Sequence, residues 1–298
     1  RLTFPPPATH DDEYKGDPEL EWLIEIFPPA NGTFDKDRLW KIFDADWRRS
    51  HPGFKLYGHS TEDHRWHYVI AGNTPGSYHR LQAGWPLVER YIPEDGQEIM
   101  SVKTLTKFRE DLVKKLNRNF SGITLQEPED IPAAINKAEK LAVIQKRFGR
   151  DAILVLKSDS LYPGRLAWDA LISVGLRWGD GDLFHWEADA KHNYDQLFSV
   201  WTMTPPGYFF PENILAGTFN PTELIFGFPI PRCFNPLQVF DAMADAAEYC
   251  RKRLGGSIVN PQGQSFDRQA ERDSLTRLVQ EMKDSDLEPG SPLALRIF

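Results

Sequence analysis

Ala152-Ile153-Leu154-Val155-Leu156 is a run of five apolar residues, and two more such runs follow it. They are Leu197-Phe198-Ser199-Val200-Trp201-Thr202-Met203 and Glu223-Leu224-Ile225-Phe226-Gly227-Phe228. Each has the length and composition of a β-strand, and none alternates cleanly between apolar and polar. An antiparallel sheet with one wet face should alternate, because successive strand side chains point to opposite faces. If helices cover one face, counting by twos leaves Ile153, Val155, Trp201, Met203, Leu224, Phe226 and Phe228 on the other. An apolar sheet face of that size needs something to cover it.

Working outward, Asp151 to Lys283 reads as one strand–helix–sheet–helix–helix unit of α+β class. A helix is expected over Pro163 to Val174, with Leu166, Ala170, Leu171 and Val174 at the i, i+3, i+4 spacings of a single buried stripe. A long helix is expected over Pro236 to Leu254 and a closing helix over Phe266 to Lys283. The preceding half repeats this order at a period of roughly 130 residues, the kind of spacing that marks a repeated domain. Trp22 to Phe27 answers to the first strand, and Phe34 to Arg48 to the first helix. Phe54-Lys55-Leu56-Tyr57 and Trp66 to Ile70 answer to the next strand pair, Leu183 to Trp186 and Leu197 to Met203. Each pair leads to a Pro-Gly turn, at Pro75-Gly76 and Pro206-Gly207. Ser101 to Asn119 answers to the long helix, and Pro128 to Phe148 to the closing one. Gly122 and Gly255-Gly256 stand just past the long helices, where a residue of positive φ commonly ends one. The expected organisation is a linker over 1–17, a diverged unit over 18–149, a second unit over 150–284 and a tail over 285–298.

Composition narrows the functional classes. The 298 residues are 41% hydrophobic and 26% charged, with a net charge of -8. An acidic chain is a poor candidate for nucleic acid, whose phosphates need a basic face. Lys114-Lys115 and Arg251-Lys252-Arg253 lie late in expected helices, where cations favour the dipole. Cys233 and Cys250 match no metal or redox spacing and read as reduced, buried apolar groups. No apolar run reaches the ~20 residues of a membrane span. The chain opens at Arg1 without an initiator Met and reads as a fragment, with Pro5-Pro6-Pro7 and Asp11-Asp12 in its linker. No G-x-S-x-G, P-loop, Rossmann or H-E-x-x-H pattern occurs, so neither an enzyme nor a cofactor is expected. His59, His64 and His67 lack a completing carboxylate or thiolate and read as surface histidines rather than a metal site. Glu127 to Asp130 precedes a helix and reads as its N-cap. His185 lies near the apolar face in either a structural or a peptide-contacting role.

Several stretches of the second unit, taken in order, resemble the C-terminal domain of the ZipA family. They are Ala152 to Leu156, Gly175-Leu176-Arg177-Trp178-Gly179-Asp180, Leu197 to Met203, Pro206-Gly207-Tyr208-Phe209-Phe210-Pro211-Glu212, Leu224-Ile225-Phe226 and Leu254-Gly255-Gly256. ZipA proteins are membrane-anchored bacterial division proteins that bind the tail of FtsZ. The resemblance implies an antiparallel sheet with helices on one face, of split β-α-β type, and a shallow apolar groove on the other for the helix-forming FtsZ tail. Carried over position by position, the groove residues are Ile153, Val155, Leu183, Trp201, Met203, Leu224 and Phe226. It further implies a cell-division adaptor in the Z ring, on the cytoplasmic side of the inner membrane and held there by an anchor upstream of this fragment. Gly181 stands where the family has a large apolar contact residue, and Trp201 where a small one is usual. Glu25 of the first unit occupies the place of Val155, which implies that the first unit binds no such tail.

Two alternatives stay open at this level. The two sheets can pack on each other and bury the groove, making the protein a structural module. The tail, with its Pro292-Leu293-Ala294-Leu295-Arg296 stretch, can dock on a sheet face or simply fray. On the groove reading, Phe226→Ala or Met203→Ala leaves the fold intact and weakens tail binding.

Overall fold

The computed structural model describes residues 13–30, 32–88, 100–187 and 196–298. They form two compact units, 13–146 with Ile297, and Arg147–Arg296 with Phe298.

In the first unit the chain runs β1 (Glu21–Phe27), β2 (Phe34–Asp35), α1 (Lys36–Ile42), α2 (Ala45–Ser50), β3 (Lys55–Ser60), β4 (Trp66–Tyr68), β5 (Ser77–Pro86), α3 (Val102–Asn119), β6 (Thr124–Gln126) and α4 (Ile131–Phe148). The sheet order is β4-β3-β5-β1-β6, with β2 beside β5. Residues directly opposite in an antiparallel pair share a face. Trp22, Ile24 and Ile26 therefore share one with Trp85, Ala83 and Leu81. Leu105, Phe108, Leu112 and Leu116 of α3 cover it, with Phe108 4.8 Å from the Trp85 ring. The other face carries Glu21, Leu23 and Glu25. Asp130 accepts from the Ala133 amide at 2.8 Å, which is the cap expected for α4. The stretch expected as a linker ends inside this unit: the Tyr14 amide donates to Trp66 O and the Gly16 amide to Gln82 Oε1. The prolines at 5–7 and the acidic pair at 11–12 lie outside the described residues.

The second unit runs β7 (Asp151–Lys157), α5 (Gly164–Ser173), β8 (Arg177–Trp178), β9 (Phe184–Trp186), β10 (Phe198–Trp201), α6 (Pro211–Ala216), β11 (Glu223–Pro229), α7 (Pro236–Leu254), β12 (Ser257–Val259), α8 (Arg268–Lys283) and α9 (Pro292–Ile297). Its sheet order is β12-β7-β11-β10-β9-β8, antiparallel throughout. Leu154, Leu156, Phe184, Val200, Leu224 and Phe226 form its inner face and are almost wholly buried. Ala167, Ala170 and Leu171 of α5, with Val239, Phe240, Met243 and Ala247 of α7, complete that core.

Both sheets place their first strand between the strand that precedes the long helix and the short strand that follows it. β1 lies between β5 and β6, and β7 between β11 and β12. Beyond that shared centre they differ. The second sheet continues β11-β10-β9-β8 as a meander, whereas in the first β3, not β4, lies beside β5. The long-helix boundaries fall where the sequence places them, and Gly122, Gly255 and Gly256 all have positive φ.

Candidate functional site

The register of the second sheet decides which side chains share its open face. Val155 stands opposite Ile225 on β11 and Val259 on β12, and Ile225 stands opposite Trp201 on β10. Val259, Val155, Ile225 and Trp201 thus form one continuous apolar row across four strands. The next row down the same face is Ile153, Gly227, Ser199 and His185. Leu183 precedes Phe184 by one residue and shares the parity of His185. Met203 lies two residues beyond the end of β10 and is 73% exposed. Its amide donates to Glu223 Oε1 at 2.7 Å, which fixes the turn that carries it.

Five of the seven residues expected in the groove, Ile153, Val155, Leu183, Trp201 and Met203, are on this side of the sheet or at its rim. Leu224 and Phe226 are not. They stand opposite Leu156 and Leu154, face the helices and are 0% exposed. Phe228 follows the same parity, opposite Ala152. The correction is one of strand parity: a one-residue slip exchanges the faces of a strand, and β11 is apolar at both parities. The open-face residues of β11 are Ile225, 8% exposed, and Gly227. A signal for Ile225 exists in the sequence only once β11 is registered against β7.

Trp201 explains Gly227. A Cβ built at Gly227 would lie 2.7 Å from Cη2 of Trp201, so the indole lies directly on the glycine backbone. The large residue expected to intrude on the groove therefore lies flat across its floor. Gly181 has φ +64 in the turn Asp180–Asp182, a conformation that favours glycine, so its side chain is forgone for backbone reasons. His185 is 2% exposed and fully engaged: Nδ1 lies 2.8 Å from Ser199 Oγ and Nε2 2.8 Å from Asp180 O. The carbonyl requires a proton on Nε2, so Ser199 donates to Nδ1. This is a structural histidine that fixes the β9 end of the face.

Below Trp201, where β10 and β11 meet the turn Ile230–Arg232, a cleft of about 460 Å³ opens, lined among others by Ser199, Gly227, Arg232, Phe234 and Leu295. Leu295 of α9 is part of its lining, and Arg232 Nη1 donates to the Leu295 carbonyl.

The open face of the first sheet is chemically different at the same lattice points. Glu25 is the fifth residue of seven-residue β1, as Val155 is of β7. It stands opposite Gln82 and Gln126, where Val155 stands opposite Ile225 and Val259. Gln82 Nε2 donates to Glu25 Oε1 at 2.7 Å, and Tyr57 Oη to buried Glu21 at 2.9 Å, with Lys55 paired to the same carboxylate. Glu21, Glu25 and Gln82 line a cavity of about 730 Å³ that also includes Arg80, Glu129 and Lys137. It is a polar, charge-paired face.

Of the histidines, His67 pairs with Asp63 at 2.8 Å, and His79 rather than His67 joins His59 and His64, its ring 5.8 Å from that of His64. Cys233 and Cys250 are free and buried. Among the described residues, no helix is long and apolar enough to cross a membrane.

Residues 152–277 match the family model of the ZipA C-terminal FtsZ-binding domain. A Cell division protein ZipA from Ectopseudomonas mendocina is 26% identical over 188 residues, covering 59% of this chain and 66% of that protein. Its counterpart in Pseudomonas syringae pv. syringae is 27% identical over 183 residues, 57% of this chain and 61% of the relative. The Shewanella frigidimarina protein of the same name is 29% identical over 109 residues, 37% of this chain and 30% of the relative. The chain thus spans less than two thirds of the length of these relatives. Over residues 152–277, in the unit that carries the apolar face, the chain is similar to the C-terminal domain of the ZipA cell-division proteins.

Proposed function

We propose that the second unit is a cell-division adaptor that takes the C-terminal tail of FtsZ on the open face of its sheet. The observation that carries this reading is the row Val259–Val155–Ile225–Trp201, apolar across four strands, in a segment that matches an FtsZ-binding domain. Apolar area on a sheet face is roughly proportional to what a docking helix gains by covering it. An amphipathic tail would lay anchors at i, i+3, i+4 and i+7 along the row, the helix-in-groove mode. Ile153, Val155, Leu183, Ile225, Trp201 and Met203 form the contact set, with Trp201 its largest apolar surface. Ordering a flexible tail offsets much of that gain, so the binding is weak to moderate.

On this reading the chain joins the division ring to the inner membrane through an anchor outside these 298 residues, and the polar first unit takes no tail. The test is a fluorescence-anisotropy titration of the full chain with a labelled FtsZ-tail peptide. Saturable binding that Trp201→Ala weakens at least about tenfold, or 1.4 kcal/mol, supports the reading. Equal binding by the wild type and Trp201→Ala removes the face from it.

A further inference from the structure

The cleft below Trp201 adjoins the apolar row, because Gly227 lines the cleft and also lies against the Trp201 indole. Part of the chain already occupies this end of the face. Leu295 lines the cleft, and Arg232 Nη1 donates to its carbonyl at 3.2 Å. Upstream the segment is fastened at Gly290, whose amide donates to Pro231 O at 2.8 Å. Gly290 has φ +71, and a Cβ there would lie 2.3 Å from Phe234 Cα, so only glycine lets the chain press so closely on the cleft wall. Leu287 and Ala294 are buried on either side of this fastening. Between them Ser291 caps α9, accepting from the Ala294 amide.

A helix of six residues does not persist alone in water. Its folding is therefore coupled to its docking. Its contacts have the chemistry that an incoming amphipathic peptide would need: an apolar side chain beside Ser199 and Gly227, and a backbone carbonyl on Arg232.

We propose that α9 is an intramolecular ligand of the open face, a detachable cap that competes for the Arg232–Leu295 end of the cleft with a tail laid along the row. The occupied cleft stands on the geometry of α9 alone, whereas the competition rests on the reading that the face binds an FtsZ tail. A resident competitor lowers apparent affinity by the fraction of molecules in which the site is free.

The experiment uses the 298-residue chain as wild type, Ala294→Arg and Gly290→Ala, with two labelled peptides, residues 286–298 of this chain and an FtsZ tail. Ala294 has no room for a longer side chain, so Ala294→Arg ejects α9. A Cβ at Gly290 has no room beside Phe234, so Gly290→Ala loosens the fastening while leaving Arg232, Ser199 and Gly227 in place, and it decides the matter if Ala294→Arg proves misfolded by circular dichroism. The 286–298 peptide is expected to bind both variants at concentrations where it ignores the wild type. The FtsZ tail is expected to bind Ala294→Arg about tenfold more tightly than wild type and Gly290→Ala by an intermediate factor. The 286–298 peptide should displace the FtsZ tail from either variant. Failure of the 286–298 peptide to bind either variant, or equal binding to wild type, overturns the cap. Equal FtsZ-tail affinity across all three proteins overturns the competition while leaving the proposed function intact. Binding of the 286–298 peptide with no FtsZ-tail binding anywhere overturns the proposed function and leaves the cap.

Discussion

Phe226 and Trp201 lie on adjacent strands of one sheet, and truncating each should have opposite consequences. Phe226 is 0% exposed, opposite Leu154 and beneath the helical layer. Phe226→Ala leaves a cavity that the close-packed neighbours fill only partly, at a cost of about 3–5 kcal/mol. For a unit of about 150 residues, 1 kcal/mol moves the melting temperature by ~2–4 °C. The second unit should therefore melt about 6–20 °C lower. Trp201 lies across Gly227 on the open face and is only half-buried. Trp201→Ala removes surface that the helical layer does not use, so the expected loss is no more than about 1 kcal/mol, in the range of substitutions outside the core. Calorimetry of the full chain reads the second unit's transition in each variant, and anisotropy reads its affinity for the tail. Phe226→Ala should lose stability and, while folded, bind normally; Trp201→Ala should keep stability and lose binding. An unchanged melting temperature in Phe226→Ala with binding abolished would place Phe226 on the open face and refute the parity assignment.

Gly227→Val places methyl groups where the indole lies; overpacking of this kind costs about 1–3 kcal/mol, and tail affinity should fall with it in the same titration. At Glu223, burial pushes the carboxyl up, but donors from Thr222, the Met203 amide, Thr202 and the Thr204 amide outweigh it and hold the group below the usual range. A carboxyl depressed in the folded state contributes stability that is fully present above its ordinary value of 4.5 and is lost as the pH falls through its lower native value. Urea midpoints at pH 6 and pH 3 should therefore diverge, and Glu223→Gln should narrow the gap; an equal drop in both proteins would show that Glu223 does not matter. Burial pushes the Cys233 and Cys250 thiols up to about 12. Neither should be alkylated at pH 8 in the folded protein and both should be in urea, as mass spectrometry will show, since the thiolate is the reactive form.

The fold was legible where one signal dominated. The long helices announce themselves by buried stripes such as Leu105, Phe108, Leu112 and Leu116 and by the glycines that end them. β5 is not legible, because Arg80, Gln82 and Gly84 break any apolar run. That strand is held by pairing with β1 and β3 rather than by its own composition. The candidate site was legible on β7, whose polar ends leave one reading of its faces. On β11, Leu224, Ile225, Phe226 and Phe228 are apolar at both parities, and only the pairing Ile225 to Val155 selects the face. Gly227 carries no side-chain signal at all; its meaning lies in the ring of Trp201, two positions along the neighbouring strand. Glu25 was readable as a departure, and its partners Gln82 and Gln126 make the whole first-sheet row polar.

The most direct test of the open face is Ile225→Asp, which puts a carboxylate between Val155 and Trp201, with Glu25→Val in the first unit as the control. Titrated with the same FtsZ-tail peptide, Ile225→Asp should remain folded and lose at least about tenfold in affinity, while Glu25→Val should match the wild type. Tail binding that survives Ile225→Asp unchanged, or is lost in Glu25→Val, would contradict the assignment of the second sheet's open face as the docking surface.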